Sequence, residues 1–400
     1  MVRLRDYLLL QAAFILLGLA LCLFVRLFLR SWWRRRGTRL AGALLLAVDL
    51  LVPGTWFLLM RLGLTHTADG LVTVQLGLFF GQIALGGGLV LAALLRAADR
   101  LRERRDTAAG NVARRRFLLQ AAAVALPVTA GATGLGGVLE SAAPVRVRRR
   151  TLRLPRLPQG LAGLRILHFA DVHLWHLVKL PDLEAALERA PRGEYDLVCV
   201  TGDLADDMSQ MPRALELIAA LDAPLGHFAC LGNHEHAHGI REALAAYAAG
   251  PVELLRTGGR VLHHGGERFV IAGIDDLRAV PRVRQSDFYP DQLARALGPT
   301  GPDTFRLLLS HRPSVLPFAA AAEVDLVLAG HTHGGQLAIA GRSILELNGA
   351  TRWAWGVFHE GGCTMHVTCG LGQWFPFRLG CPPEMVLLEL QPGPADSGPA

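Results

Sequence analysis

Five short polar stretches carry residue types able to do chemistry: Asp171-Val-His173, Gly202-Asp203, Gly232-Asn233-His234-Glu235, Ser310-His311 and Gly330-His331-Thr332-His333-Gly334-Gly335-Gln336. They offer two aspartates, one asparagine and four or five histidines, with no cysteine among them. Carboxylate, amide and imidazole donors without thiolate suit a hard-to-borderline divalent ion such as Mn, Fe or Zn. Taken singly, each piece has a plain structural reading as a turn dipeptide, a helix cap or a surface pair. Taken together, they do not.

What positions them is the apolar run ahead of each one: 164–170, 197–201, 228–231, 307–310 and 326–329, all rich in strand formers. In an open α/β arrangement, loops leaving the carboxyl ends of strands meet in one crevice, so residues 160 positions apart can share a site. The stretches 181–190, 211–221, 239–249, 290–297 and 314–322 read as helices between strands, and 269–273, 364–368 and 385–390 as further strands.

The ordered set D-x-H, G-D, G-N-H-E, a lone His and G-H-T-H resembles the calcineurin-like metallophosphoesterase superfamily. The closing G-H-T-H-G-G-Q and the tail Phe377-Arg-Leu-Gly-Cys-Pro-Pro-Glu384 are similar to membrane-associated bacterial phosphoesterases of the YkuE and YaeI type. The resemblance covers roughly residues 160 to 390. It implies a four-layer α/β/β/α sandwich, with two divalent metal ions (Mn, Fe or Zn) as cofactors. Asp171, His173 and His333 would hold one ion, Asn233, His311 and His331 the other, and Asp203 would bridge them. It also implies hydrolysis of a phosphoester by a metal-activated hydroxide, with His234, a non-ligand, as general acid or transition-state stabiliser. Arg312 and Arg378 are candidate phosphate contacts, and His176 and His236 candidate lining residues.

With 51% apolar residues and a mean hydropathy of +0.32, the chain is too apolar for one soluble domain, and the excess lies at the front. The runs 8–25, 40–60, 71–95 and 117–139 each reach the length needed to cross a bilayer, which predicts an all-α membrane region, 1–139, of four transmembrane helices. Arginines crowd the first and third connections, so both are expected inside and the remainder of the chain outside the cytoplasm. Ala113-Arg-Arg-Arg-Phe-Leu-Leu119 resembles a twin-arginine signal or a stop-transfer cluster. Asp49 lies within the second run, with Gln75 and Gln82 in the third as hydrogen-bonding candidates.

Residues 140–160 read as a basic linker or first strand, 161–390 as the catalytic domain and 391–400 as a disordered tail. The net charge of +7 is largely explained by the arginine loops and the strip 144–158, so nucleic acid is not needed as a partner. That strip and the apolar Trp374-Phe-Pro-Phe377 suggest contact with lipid head groups. Of six cysteines, only Cys369 and Cys381 are candidates for a bridge. Three readings remain open: a phosphodiesterase acting on a phospholipid or lipid-linked ester, a phosphomonoesterase on soluble esters, and a non-catalytic metal-binding assembly module.

Overall fold

The computed structural model describes residues 129, 132–175, 177–299, 301, 303–373 and 376–395, with scattered positions among the first 86. It divides into two compact units, Met1–Glu140 with Phe375–Phe377, and Ser141–Trp374 with Arg378–Ala400. In the first unit the described residues are helical apart from a turn at Arg34 and the non-helical Pro376 and Phe377. Among the described residues, no helix is long and apolar enough to cross a membrane. Most of the four apolar runs, together with Asp49, Gln75, the twin-arginine-like segment, His176, Trp374 and Phe375, fall outside the described residues.

Among its described residues the second unit holds fourteen strands. The first five are β1 (Arg146–Leu154), β2 (Arg165–Phe169), β3 (Leu197–Thr201), β4 (His227–Cys230) and β5 (Glu253–Leu254). Then come β6 (Gly258–His264), β7 (Glu267–Gly273), β8 (Phe305–Leu309), β9 (Leu326–Ala329), the ribbon β10 (Ala338–Ile339) and β11 (Arg342–Ser343), β12 (Gly356–Glu360), β13 (Cys363–Val367) and β14 (Glu384–Pro392). One sheet has the order β1-β14-β2-β3-β4-β5, the other β12-β13-β9-β8-β7-β6. Strands β2, β3 and β4 run parallel in the first, and β7, β8 and β9 in the second. The helices are α1 (Leu180–Leu187), α2 (Met211–Ala219), α3 (Asn233–His238), α4 (Ile240–Ala249), α5 (Gln285–Leu297), α6 (Leu316–Ala321) and α7 (Ile344–Leu347).

Three apolar cores separate four layers. Ile166, Leu197, Cys199 and Phe228 of one sheet pack against Phe269, Ile271, Leu307 and Leu328 of the other. Their neighbours Leu167, Val198 and Val200 point the opposite way, onto α1, α2 and α4. Val270, Leu308 and Val327 likewise meet α5 and α6. Strands covered on both faces must be apolar at every position, which is why β3 reads Leu-Val-Cys-Val-Thr without polar alternation.

The expected strands and helices occur at or near their stated positions; β5, β6, β10, β11, β12 and α7 were not among them, and three further departures concern α5, α3 and the tail. Helix α5 begins at Gln285 and takes Pro290 into its second turn, instead of starting at the proline. Helix α3 lies outside the stretches expected to be helical, because Asn-His-Glu-His-Ala-His has no apolar period. The tail is ordered further than expected, because Gln391 and Pro392 extend β14 alongside Arg153 and Leu154 of β1.

Candidate metal centre

Every proposed ligand stands just beyond a strand: Asp171 and His173 after β2, Asp203 after β3, Asn233 after β4 at the start of α3, His311 after β8, and His331 and His333 after β9. Five of them adopt left-handed backbone, Asp171 (φ 55°), His173 (φ 52°), Asp203 (φ 54°), His331 (φ 75°) and His333 (φ 50°). That conformation costs a non-glycine residue about 1–2 kcal/mol, and it turns each side chain back over the strand ends. Two glycines of the motifs are required by close approach. A Cβ at Gly232 would lie 2.1 Å from Asp203 Oδ1, and one at Gly330 would lie 2.4 Å from Asp171 Oδ2.

The side chains gather into two donor sets. In the first, Nε2 of His173 and Nε2 of His333 are 3.0 Å apart, and His333 Nε2 is 3.5 Å from Asp171 Oδ1. Behind His173, Nδ1 meets Asp206 Oδ1 at 3.1 Å, and behind His333, Nδ1 meets the Gly372 carbonyl at 3.3 Å. An acceptor at Nδ1 takes that nitrogen's proton and leaves Nε2 with its lone pair. Two such lone pairs aimed at each other beside a carboxylate are a fit for a cation.

In the second set, His311 Nε2 lies 3.2 Å from Asp203 Oδ2, 3.2 Å from Asn233 Oδ1 and 3.1 Å from His331 Nδ1. His311 Nδ1 donates to the Thr201 carbonyl at 2.8 Å, which turns Nε2 toward the oxygens of Asp203 and Asn233. Asp203 Oδ2 is also 3.7 Å from His173 Nε2, which places this carboxylate between the sets. Asp171, His173 and His333 form one grouping of metal-ligand spacing, and Asp203, His311 and His331 another; His173, Asp206 and His234 also lie within that spacing.

The electrostatics agree. Burial opposes protonation of His311, yet the Asp203 and Asp171 carboxylates push its pKa up to about 10. Burial raises Asp171 to about 6, and neighbouring imidazoles hold Asp203 well below the usual carboxylate range despite its own burial. A cluster that attracts protons this strongly attracts a divalent ion in competition with them. Burial holds His331 and His333 well below the ordinary histidine value, hence neutral and able to ligate.

His234 stands differently. Its amide donates to Asp203 Oδ1 (2.8 Å), its Nδ1 is 2.6 Å from Asp206 Oδ1, and the ring is about a quarter exposed. Asp206 therefore joins His234 to His173, one of the proposed ligands. Burial would lower the pKa of His234, but the hydrogen bond to Asp206 and the charge of Asp203 raise it above the ordinary value. Glu235, fully buried, accepts from the amides of Asp203 (3.1 Å), Leu204 (2.6 Å) and Gly232 (2.8 Å), fixing two ligand loops to each other. Thr201 extends the network inward: its hydroxyl lies 2.9 Å from His168 Nε2, and His168 Nδ1 lies 3.0 Å from His366 Nδ1 in the core.

The structure thus brings together all eight residues proposed from the sequence. It also supplies three carboxylates that were missed, Asp206, Glu235 and Asp276. Asp206 stands three residues after Asp203, Glu235 within a motif already quoted, and Asp276 three residues beyond the end of β7. Arg312 is at the site, with Nη1 2.9 Å from His331 Nε2 and a two-point pair to Asp276. Arg378 is not a phosphate contact. It is completely buried and donates to the carbonyls of Cys369, Cys381, Gly370 and Gly372. His236 is held by Asp275 at 2.7 Å, outside both donor sets. Cys369 and Cys381 form no disulfide, and their thiols are directed at the backbone carbonyls of Pro382 (3.0 Å) and Gly334 (3.4 Å) respectively.

Comparison with known proteins agrees with this geometry. Residues 164–335 match the family model described as calcineurin-like phosphoesterase. An uncharacterized metallophosphoesterase of Aquifex aeolicus is 32% identical over 264 residues, which cover 62% of this chain and 92% of that protein. The uncharacterized metallophosphoesterase YkuE of Bacillus subtilis is 29% identical over 62% of this chain and 86% of its own length. A transmembrane protein with metallophosphoesterase domain from Bos taurus is 27% identical over 76% of this chain and 70% of its own length. By its ligand-bearing strand ends, its layered fold and these relatives, the chain belongs to the calcineurin-like phosphoesterase family.

Proposed function

We propose that the chain is a membrane-anchored phosphodiesterase with two divalent ions, acting on a phospholipid or lipid-linked phosphodiester. The observation that carries the reading is the convergence of acceptor atoms on two sets that share Asp203. Asp171, His173 and His333 would hold one ion, Asn233, His311 and His331 the other, and Asp203 would serve both. Bound there, the ions supply a water of lowered pKa and neutralise phosphoryl charge. The chain's own residues do the rest. Asp206 fixes His234 with its Nδ1 proton turned inward, and Nε2 carries a second proton to the departing oxygen. Glu235 keeps Asp203 and Asn233 in register while this occurs.

Anchoring is supported by the four apolar runs and by the short chain between the helix ending at 141 and β1. Residues 142–145 reach at most about 14 Å. The basic strip contributes less than its composition suggests. Arg148, Arg149 and Arg156 pair with Glu384, Glu194 and Asp325, so at least half of its six arginines spend their charge within the domain.

The test uses the full chain, loaded with Mn or Zn and reconstituted in vesicles. Two ions per chain, faster turnover of bis-p-nitrophenyl phosphate than of p-nitrophenyl phosphate, and cleavage of a vesicle phospholipid are the expected results. Soluble nucleotides hydrolysed far better than any lipid would refute the substrate assignment. A carboxyl-terminal reporter active only in the cytoplasm would refute the orientation.

A further inference from the structure

Arg312 directly follows the ligand His311 and is held from behind. Its Nε donates to Asp276 Oδ2 at 2.7 Å and its Nη2 to Asp276 Oδ1 at 3.2 Å. The Asp276 side chain is fully buried, while that of Arg312 is a quarter exposed. Two-point pairing with a buried carboxylate fixes the plane of the guanidinium, which a lysine on its flexible stem cannot reproduce. Asp276 is itself fixed, since it also accepts from the Arg278 amide at 2.8 Å.

The third contact of Arg312 is to the centre, with Nη1 2.9 Å from His331 Nε2. These contacts use three of the five N–H donors, and the other two take no acceptor among the described residues. His331 presents Nδ1 to the second donor set, 3.1 Å from His311 Nε2. A neutral imidazole that ligates through Nδ1 keeps its proton on Nε2, and an N–H cannot accept from Arg312. With His331 in that role, Nη1 is released while the Asp276 tether remains. Three N–H donors of one oriented guanidinium are then available beside the ligands.

We propose that Arg312 is the phosphoryl-binding arginine of this site: positioned by Asp276, it donates to the non-bridging oxygens of the phosphate ester next to the second donor set. Planar forked donors suit such oxygens, and the neighbouring ligand makes the donors available only when it is itself engaged. The inference rests on the reading of the site as a metal-dependent phosphoesterase centre.

The experiment compares full-length wild type, Arg312→Gln and Arg312→Lys, each titrated with Mn and checked by metal analysis. Tungstate, an oxyanion probe, is then titrated by calorimetry, and kcat and KM are measured on bis-p-nitrophenyl phosphate. Both variants are expected to keep wild-type metal content. Tungstate affinity should fall about 10- to 100-fold in Arg312→Gln, the effect of losing charged hydrogen bonds, and less in Arg312→Lys, with KM rising in parallel. Wild-type tungstate affinity in metal-replete Arg312→Gln would overturn this inference alone. So would an Arg312→Gln protein that cannot be loaded, because Arg312 would then serve the ligands and not the substrate. A wild-type chain that takes up no metal would overturn the functional proposal and this inference with it.

Discussion

The carboxylate of Asp206 lies 2.6 Å from Nδ1 of His234. The contact fixes which ring nitrogen faces the reacting group and raises the affinity of that ring for its proton. A general acid works only while protonated, so with His234 in that role activity is expected to fall as pH rises through its raised pKa. Asp206→Asn removes the charge that opposes the effect of burial. The alkaline fall in kcat is therefore expected at lower pH in this variant, with kcat down by roughly 100-fold. An alkaline limb that stays in place would exclude His234 as the acid.

Asp203 and His234 should separate metal binding from proton transfer. Asp203→Ala is expected to lose metal and activity together, because its carboxylate stands between both donor sets. His234→Ala should retain metal and lose roughly 10²–10⁴-fold in kcat. Equal metal loss in the two variants, by elemental analysis, would contradict the non-ligand role of His234.

His168 and His366 make the domain sensitive to acid. Burial pulls His168 down to about 3 and, with the charge of His168 and Arg150, holds His366 well below its ordinary value. Folded pKa values below the unfolded value of roughly 6.5 mean stability that is complete above that pH and lost as pH falls toward 3. Each histidine contributes up to about 1.4 kcal/mol per pH unit in that window. Urea midpoints at pH 7 and pH 5 should differ less in a His168→Gln/His366→Gln protein than in wild type. An unchanged difference would mean that the pair is not a source of acid lability.

Arg378 is predicted to be structural. Arg378→Met strands the carbonyls of Cys369, Gly370, Gly372 and Cys381 in the interior, a loss of at least about 3 kcal/mol. For a domain of this size, that is a Tm drop on the order of 10 °C. Metal content should fall too, since the Gly372 carbonyl holds His333 Nδ1. Scanning calorimetry with metal analysis checks both, and a stable, metal-replete variant would show that the loop is fixed by other means.

The ligands were legible because each is a polar residue at the end of an apolar run, where chain direction alone dictates where side chains meet. Their supporting groups were not. Asp206, Glu235 and Asp276 work behind the ligands, through hydrogen bonds whose partners lie about thirty residues away, and an isolated carboxylate looks like any surface charge. The same physics explains the missed elements. Strand β6 (Gly-Gly-Arg-Val-Leu-His-His) lies at a sheet edge and needs neither alternation nor apolar content, and α3 is placed by its loop contacts and not by a buried stripe.

The pairing of β1 with β14 bears on where this chain can be cut. Nine register partners, from Arg146↔Glu384 to Leu154↔Pro392, cover one edge of β14, whose first five residues are buried. A fragment begun at 161, where the motifs suggest the domain starts, would uncover that edge: a row of unpaired amides and carbonyls beside Met385, Val386, Leu387 and Leu388. Exposed apolar edges recruit one another, so such a fragment should aggregate, whereas one begun upstream of Arg146 keeps its own strand in that place.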